Sequence, residues 1–206
     1  MKIRTWSAGL GALVFLAVVV LLGASCRSTA AEDPILRLSA EESLTQGKEL
    51  LAQKKYSRAR PYLSHAFEVE PNSAGGREAL LLVADSHFFE RGNTNFIQAE
   101  AKYRDFLNRF PTSAQAAYAQ FQIASSLAER VERPDRDQGT TRKALASYQD
   151  LLRLFPTSEY AAQAREKISS VRLNLAEHEF VVGRFYLRFG APKAAVGRFE
   201  SILKDY

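Results

Sequence analysis

The chain has 206 residues, 46% of them hydrophobic and 25% charged, which is enough to bury a core and too balanced for a disordered or fibrous protein. Its 28 basic side chains exceed the 23 acidic ones by five, and two of the basic ones, Lys2 and Arg4, are the only charges in the first 25 residues. So small and scattered an excess excludes nucleic acid as the main partner, and a single cysteine excludes an internal disulfide.

Met1–Thr5 forms a basic head and Gly9–Leu22 an unbroken run of apolar or small residues, the order of a secretory signal ending at residue 25. Leu22-Gly23-Ala24-Ser25-Cys26 resembles a lipobox, except that Gly23 stands where the usual pattern has Leu. Lipidation of Cys26 is therefore expected: each buried methylene contributes about 0.8 kcal/mol, so several chains on one residue hold a protein firmly to a membrane. The alternative is an uncleaved anchor, since Thr5–Cys26 is uncharged and long enough to span a bilayer. Cys26 lies where apolar sequence turns polar, which favours the lipid. Arg27 follows, not the Asp of inner-membrane retention, so by resemblance the destination is the periplasmic face of the outer membrane. Residues 26–40 read as a polar tether, leaving 41–206 as the folded domain.

That domain is built on a repeated ruler. Glu70-Pro71-Asn72-Ser73, Phe110-Pro111-Thr112-Ser113 and Phe155-Pro156-Thr157-Ser158 end three segments alike, with Pro stopping one helix and Ser placed to cap the next. Twelve residues before each Pro stands Ala59, Ala99 or Ala144; eight before stands Leu63, Tyr103 or Tyr148; four before stands Phe67, Leu107 or Leu152. The spacing predicts helices near 41–54, 57–70, 75–91, 96–110, 114–130, 141–155, 158–189 and 192–206, with the alanines where helices approach closely. Gly92–Asn95 is expected to be a lengthened turn and Val131–Gly139 a charged surface loop. The stretch after Ser158 reads as one long helix bridging two hairpins. In the last unit Ala195, Phe199 and Leu203 continue the buried stripe, and its Pro would fall one residue past Tyr206, so the array is expected to be cut short.

Gly47, Ala59, Ala66 and Pro71, repeated as Gly183, Tyr186, Gly190 and Ala195, resemble the tetratricopeptide repeat. The expected fold is all-α, a right-handed α-solenoid of about four tetratricopeptide-like hairpins, since no hairpin of this size buries its apolar face without neighbours. Its first helices line a concave, peptide-sized groove.

Chemistry is hard to find. His65, His87 and His178 lie in three helices without a second ligand at metal spacing and read as surface or packing residues. Glu177-His178-Glu179 puts adjacent side chains on different helix faces. Ser201 and Lys204 match a Ser-x-x-Lys pattern with no companion motif. No enzyme, cofactor or metal is expected. About two thirds of Phe88, Phe89, Phe96, Phe180, Phe185, Tyr186 and Phe189 are expected in the core, the rest offering stacking surface to a partner.

The second half carries a more specific likeness. Arg133-Pro134-Asp135-Arg136-Asp137, Ala144 and Tyr148, Leu151 through Tyr160, Leu175 through Phe180 and Arg198 through Tyr206 resemble the BamD family of outer-membrane β-barrel assembly lipoproteins. The resemblance is strong after about residue 100 and weak before it. It implies a non-catalytic scaffold of the β-barrel assembly machinery that binds the barrel-forming assembly subunit and accessory lipoproteins and helps receive unfolded outer-membrane proteins. It nominates Arg198 and Glu200, with the loop residues Arg133, Asp135, Arg136 and Asp137, as partner-binding. The alternative is a general periplasmic tetratricopeptide lipoprotein scaffolding cell-envelope or cell-wall complexes. A cell-wall coordinator would begin with a coiled coil, and no heptad run precedes Glu41.

Overall fold

The computed structural model describes residues 33–206; the expected signal segment and Cys26 lie outside the described residues. The chain divides into two compact units, 1–36 and 37–206. Of the first, only residues 33–36 are described, most of them in the 3-10 turn Pro34–Arg37. The second unit is built from helices α1 (Ala40–Ala52), α2 (Tyr56–Val69), α3 (Ala74–Glu90), α4 (Asn93–Arg109), α5 (Ala116–Ala128), α6 (Gly139–Leu154), α7 (Ala161–Arg188) and α8 (Pro192–Asp205). Among the described residues there is no strand. Each helix packs on its chain neighbours, and α1 also touches α3, so the unit is a stack of antiparallel hairpins, α1–α2, α3–α4, α5–α6 and α7–α8.

The ruler works because the same four residues build the same turn three times. Glu70, Phe110 and Phe155, each before a Pro, are pushed out of the helical region to φ near −130°, with ψ of 67°, 58° and 58°. The Ser amide then closes the turn on their carbonyls, Ser73 to Glu70 at 3.2 Å and Ser113 to Phe110 and Ser158 to Phe155 at 3.1 Å. The capping role expected of Ser holds only at Ser73, whose Oγ accepts from Gly76 N at 2.9 Å. After Ser113 and Ser158 the chain makes one more turn, with Ala116 N and Ala161 N donating to the Ser carbonyls at 3.0 Å, and α5 and α7 start later than expected. At the start of the domain Ser39 and Glu42 form a reciprocal capping box, which the sequence reading overlooked.

Most of the other boundaries differ by one or two residues, and one by three. α4 begins at Asn93, not 96, because Arg91 and Gly92 reverse the chain in two residues, with φ of 63° and 93°. Arg91 is costly in that conformation. Asn95 Nδ2 donates to its carbonyl at 2.9 Å, Glu129 pairs with its guanidinium at 2.8 Å, and the guanidinium lies over the Phe96 ring. At the other end α1 starts one residue early, and His65 Nε2 sits 3.1 Å from the Leu38 carbonyl.

The core follows the ruler's alanines. Ala59, Ala99, Ala144 and Ala195 are fully buried, as are Leu63, Tyr103 and Tyr148 four residues on from the first three. Gly47 and Gly183 extend the close approach: a Cβ on either would stand 2.5 Å from Leu63 or from the Phe199 ring. Ala144 belongs to the cluster of Tyr103, Phe106 and Ile123, and one turn further along α6 Tyr148 enters the next cluster with Ala124 and Leu151. Ala144→Phe is expected to overpack this seam and cost about 1–3 kcal/mol. A melting curve overlaying the parent's would show that the seam yields.

Leu203 departs from expectation. It is 89% exposed, although its counterparts Leu107 and Leu152 are partly buried. Those two face the next hairpin, and among the described residues no helix follows α8 to cover Leu203.

Candidate partner-docking site

A shallow depression lies along the first helices of three hairpins. Phe88 of α3, Phe121 and Gln122 of α5 and Glu166 and Lys167 of α7 border a depression floored by Tyr148. An aromatic chain runs beside it, Tyr103 to Tyr118 to Tyr160 to Phe121 to Tyr148, with centroids 5.3–6.2 Å apart. At its head lies Asp85, a buried carboxylate whose Oδ1 accepts from Tyr103 at 2.5 Å and Tyr118 at 2.8 Å. Gln122 Nε2 donates in turn to the Tyr118 hydroxyl at 3.0 Å. Burial pushes the Asp85 carboxyl above its usual range, against the two hydroxyl donors, and pushes both tyrosines up as well. The sequence reading missed this network, because a lone Asp in an apolar helix carries no motif.

The nominated loop is tied down. Arg133 pairs with Asp135 at 3.1 Å, and Asp137 Oδ1 accepts from Gly139 N at 2.8 Å where α6 starts. Arg136 is exposed. What holds the loop is Gln138, not nominated and 1% exposed, whose Nε2 donates to the carbonyls of Arg133 at 2.9 Å and Arg136 at 3.1 Å. Its Oε1 accepts from Thr141 Oγ1 at 2.7 Å. From the far side, His178 Nδ1 donates to the Pro134 carbonyl at 2.6 Å and Asn174 to the Glu132 carbonyl at 3.3 Å. His178 is therefore a packing residue, as expected, and its role is to dock the loop on α7.

One residue further along α7, Glu179 turns to α8. It is 7% exposed, and its Oε2 accepts from Arg198 Nη1 at 3.0 Å. Arg198 is thus neither a solvated charge nor wholly available: this pairing, first among the causes, raises its pKa further, and its side chain stays 43% exposed. Glu200 is exposed on the same helix. So α7, between Asn174 and Glu179, carries both nominated patches, the loop on one face and Arg198 on the next. The missed element was Glu179, set aside in sequence as one of three adjacent polar residues.

The aromatic expectation fails. Phe96 is buried and Phe88 and Tyr186 partly so, but Phe89, Phe180, Phe185 and Phe189 are all about half exposed or more. Phe180 and Phe185 lie on the C-terminal half of α7 and Phe189 at its C-cap, where α8 packs alongside.

Stacked hairpins with small-residue seams and Pro-closed turns define a helical-repeat protein of the tetratricopeptide type. Residues 37–206 match the family model YfiO, described as outer membrane lipoprotein, and the chain belongs to that family. It is 29% identical over 160 residues to the outer membrane protein assembly factor BamD of Caulobacter vibrioides, covering 78% of this chain and 52% of that protein. It is 30% identical over 191 residues to the BamD of Rickettsia prowazekii (93% and 74%) and 28% over 205 residues to that of Haemophilus influenzae (94% and 76%). The chain thus spans about half the length of the first and about three quarters of the other two. Among the described residues no helix is long and apolar enough to cross a membrane.

Proposed function

We propose that this protein is a non-catalytic scaffold of the β-barrel assembly machinery, held by lipid on Cys26 at the periplasmic face of the outer membrane. It binds the barrel-forming assembly subunit, works beside accessory lipoproteins and helps receive unfolded outer-membrane proteins. In this reading residues 1–25 are the signal and 26–40 the lipidated tether. The names of the relatives support the assembly role. The observation that carries the docking site is Arg198 seated on the buried carboxylate of Glu179, which fixes one edge of the guanidinium while the side chain stays half exposed. A fork so preset suits a carboxylate on the partner. Arg133, Asp135, Arg136, Asp137 and Glu200 form the polar rim.

Arg198→Ala also strips Glu179 of its partner, so its effect mixes binding with stability. Arg198→Lys keeps a cation for Glu179 and removes the fork. It is expected to leave melting near the parent's while weakening copurification of the barrel-forming subunit by about tenfold, roughly 1.4 kcal/mol. Parental affinity in physiological salt would place the docking contact elsewhere. For the anchor, fatty-acid labelling of the parent is expected to vanish in Cys26→Ala, and equal labelling of both would exclude lipidation there.

A further inference from the structure

The Pro-closed turns lie at one end of the hairpins, and so does the start of α1: Ser39 and Leu44 border the same hollow as Glu70, Ser73 and Gly76. One residue beyond Gly76, Arg77 shares a second hollow, of about 430 Å³, with Arg109 and the turn from Phe110 to Ser113. Two guanidiniums thus border one cavity, and no acidic residue lines it. The turn does not need them. Arg77 stands six residues after one Pro and Arg109 two before the next; at the following turn those positions are Ala117 and Leu154. Ser158 nevertheless closes on Phe155 at the same 3.1 Å as Ser113 on Phe110.

Both guanidiniums are held in place with most of their donors unspent. Arg77 lies over the Phe110 ring and Arg109 over the Phe67 ring, 5.8 and 5.4 Å from the centroids, so the ring faces fix the planes and leave the edges to donate. Arg77 Nη1 donates to the Asn72 carbonyl at 2.7 Å, which leaves its charge without a counter-ion, and Arg109 Nε donates to Asp105 Oδ1 at 2.8 Å. Each spends one of five N–H groups in these bonds. On the same wall, the backbone amides of Thr112 and Ala114 meet no acceptor among the described residues. The cavity therefore presents donors from two helix ends and a turn, with positive potential and no carboxylate of its own to answer them.

We infer that this cavity binds a phosphate monoester, clamped between the guanidiniums of Arg77 and Arg109. A carboxylate has two oxygens along one edge and suits a single guanidinium. A phosphate monoester has three terminal oxygens and a charge near −2, and so offers an edge to each of two guanidiniums that arrive from different helices. Free phosphate and a lipid headgroup ending in phosphate share this chemistry. The place of the cavity, at the end where the chain enters α1, favours the headgroup, a step that rests on the lipid anchor of the reading above.

The test uses the full chain in an uncharged, phosphate-free detergent and measures binding by calorimetry. The probes are inorganic phosphate, dihexanoyl phosphatidic acid and, as a diester, dihexanoyl phosphatidylglycerol. Saturable binding of phosphatidic acid is expected, at least about tenfold tighter than phosphatidylglycerol and weakened at least about tenfold in Arg77→Gln/Arg109→Gln. Arg104→Gln/Arg153→Gln removes as much charge from two exposed positions and is expected to stay within about twofold of the parent. Arg77→Lys/Arg109→Lys keeps a cation over each ring but not the forks, and is expected to weaken binding at least about fivefold even if the glutamine pair fails to fold. No saturable binding, equal affinity for the diester, parental affinity in the lysine pair or an equal loss in the Arg104 and Arg153 control each overturns the pocket. Inorganic phosphate bound as tightly as phosphatidic acid overturns the headgroup as the source and leaves the phosphate site standing. None of these measurements depends on Cys26, so failure of the anchor, read by fatty-acid labelling, is distinct from failure of the pocket.

Discussion

Gly76→Ala is expected to lower the unfolding free energy by about 2–3 kcal/mol, while the same substitution at Gly197 raises it by about 0.5–1 kcal/mol. A Cβ at Gly76 would lie 1.9 Å from the Glu70 carbonyl oxygen and 3.3 Å from Pro71 Cα, which are backbone atoms that cannot rotate aside. The methyl therefore forces α3 away from the Glu70–Ser73 turn, and the bond from Gly76 N to Ser73 Oγ, a cap of about 1 kcal/mol, goes with it. The chain itself shows where it would go. Three residues after Ser113 and Ser158 stand Ala116 and Ala161, and there the helix begins only after an additional turn. Gly197, inside α8, has nothing within 4 Å of its Cβ position, so alanine removes only the conformational freedom of glycine in the unfolded chain. Thermal melting of the two variants is the measurement. At about 2–4 °C per kcal/mol for a domain of this size, Gly76→Ala melts roughly 5–10 °C below the parent. Equal melting points would mean that the Pro71 turn is soft.

Asp85 gives the second large effect. Asp85→Ala leaves the Tyr103 and Tyr118 hydroxyls buried without their common acceptor, and is expected to cost about 3 kcal/mol at neutral pH. Asp85→Asn keeps an oxygen where both hydroxyls donate and removes the buried charge, so it is expected to be neutral or stabilising. The pH dependence separates the two effects. The folded-state pKa of Asp85 lies above the ordinary value of 3.8, so the native state holds this proton more tightly than the unfolded chain. Its contribution is greatest below the unfolded value and is lost as pH rises through the folded one. Stability of Asp85→Asn minus that of the parent should therefore shrink as pH falls from neutrality toward 3.8. A difference that grows in acid would mean that the hydroxyls outweigh burial and depress the pKa.

The periodic part of the architecture was legible because it is local. Ala59, Ala99 and Ala144 announce a seam by size, and a Pro after Glu70, Phe110 or Phe155 fixes the backbone before it, so helix order and most boundaries could be read directly. What failed depended on neighbours that spacing does not name. Leu203 follows the stripe perfectly and is exposed because burial at that position is supplied by another hairpin. Ser113 and Ser158 repeat Ser73 but do not cap the helices that follow, because the deciding residue is three places on, Gly76 against Ala116 and Ala161. The same holds at the candidate docking site. Arg198 was chosen by likeness, whereas its orientation comes from Glu179, nineteen positions away on another helix. Phe185 and Phe189 were counted largely toward a core, because composition registers that an aromatic is there and not which helices lie over it.

The 28-residue helix α7 is about 42 Å of continuous backbone serving two hairpins. In a stack whose helices touch almost only their neighbours, opening is expected to fray inward one hairpin at a time, with amide exchange fastest at the ends. The last hairpin escapes that pattern on one side, because its first helix is the continuation of a rod already clamped by Tyr148 and Leu151. Force applied on the C-terminal half of α7 therefore travels along the rod into the middle of the stack, and α8 can peel away while α7 stays clamped.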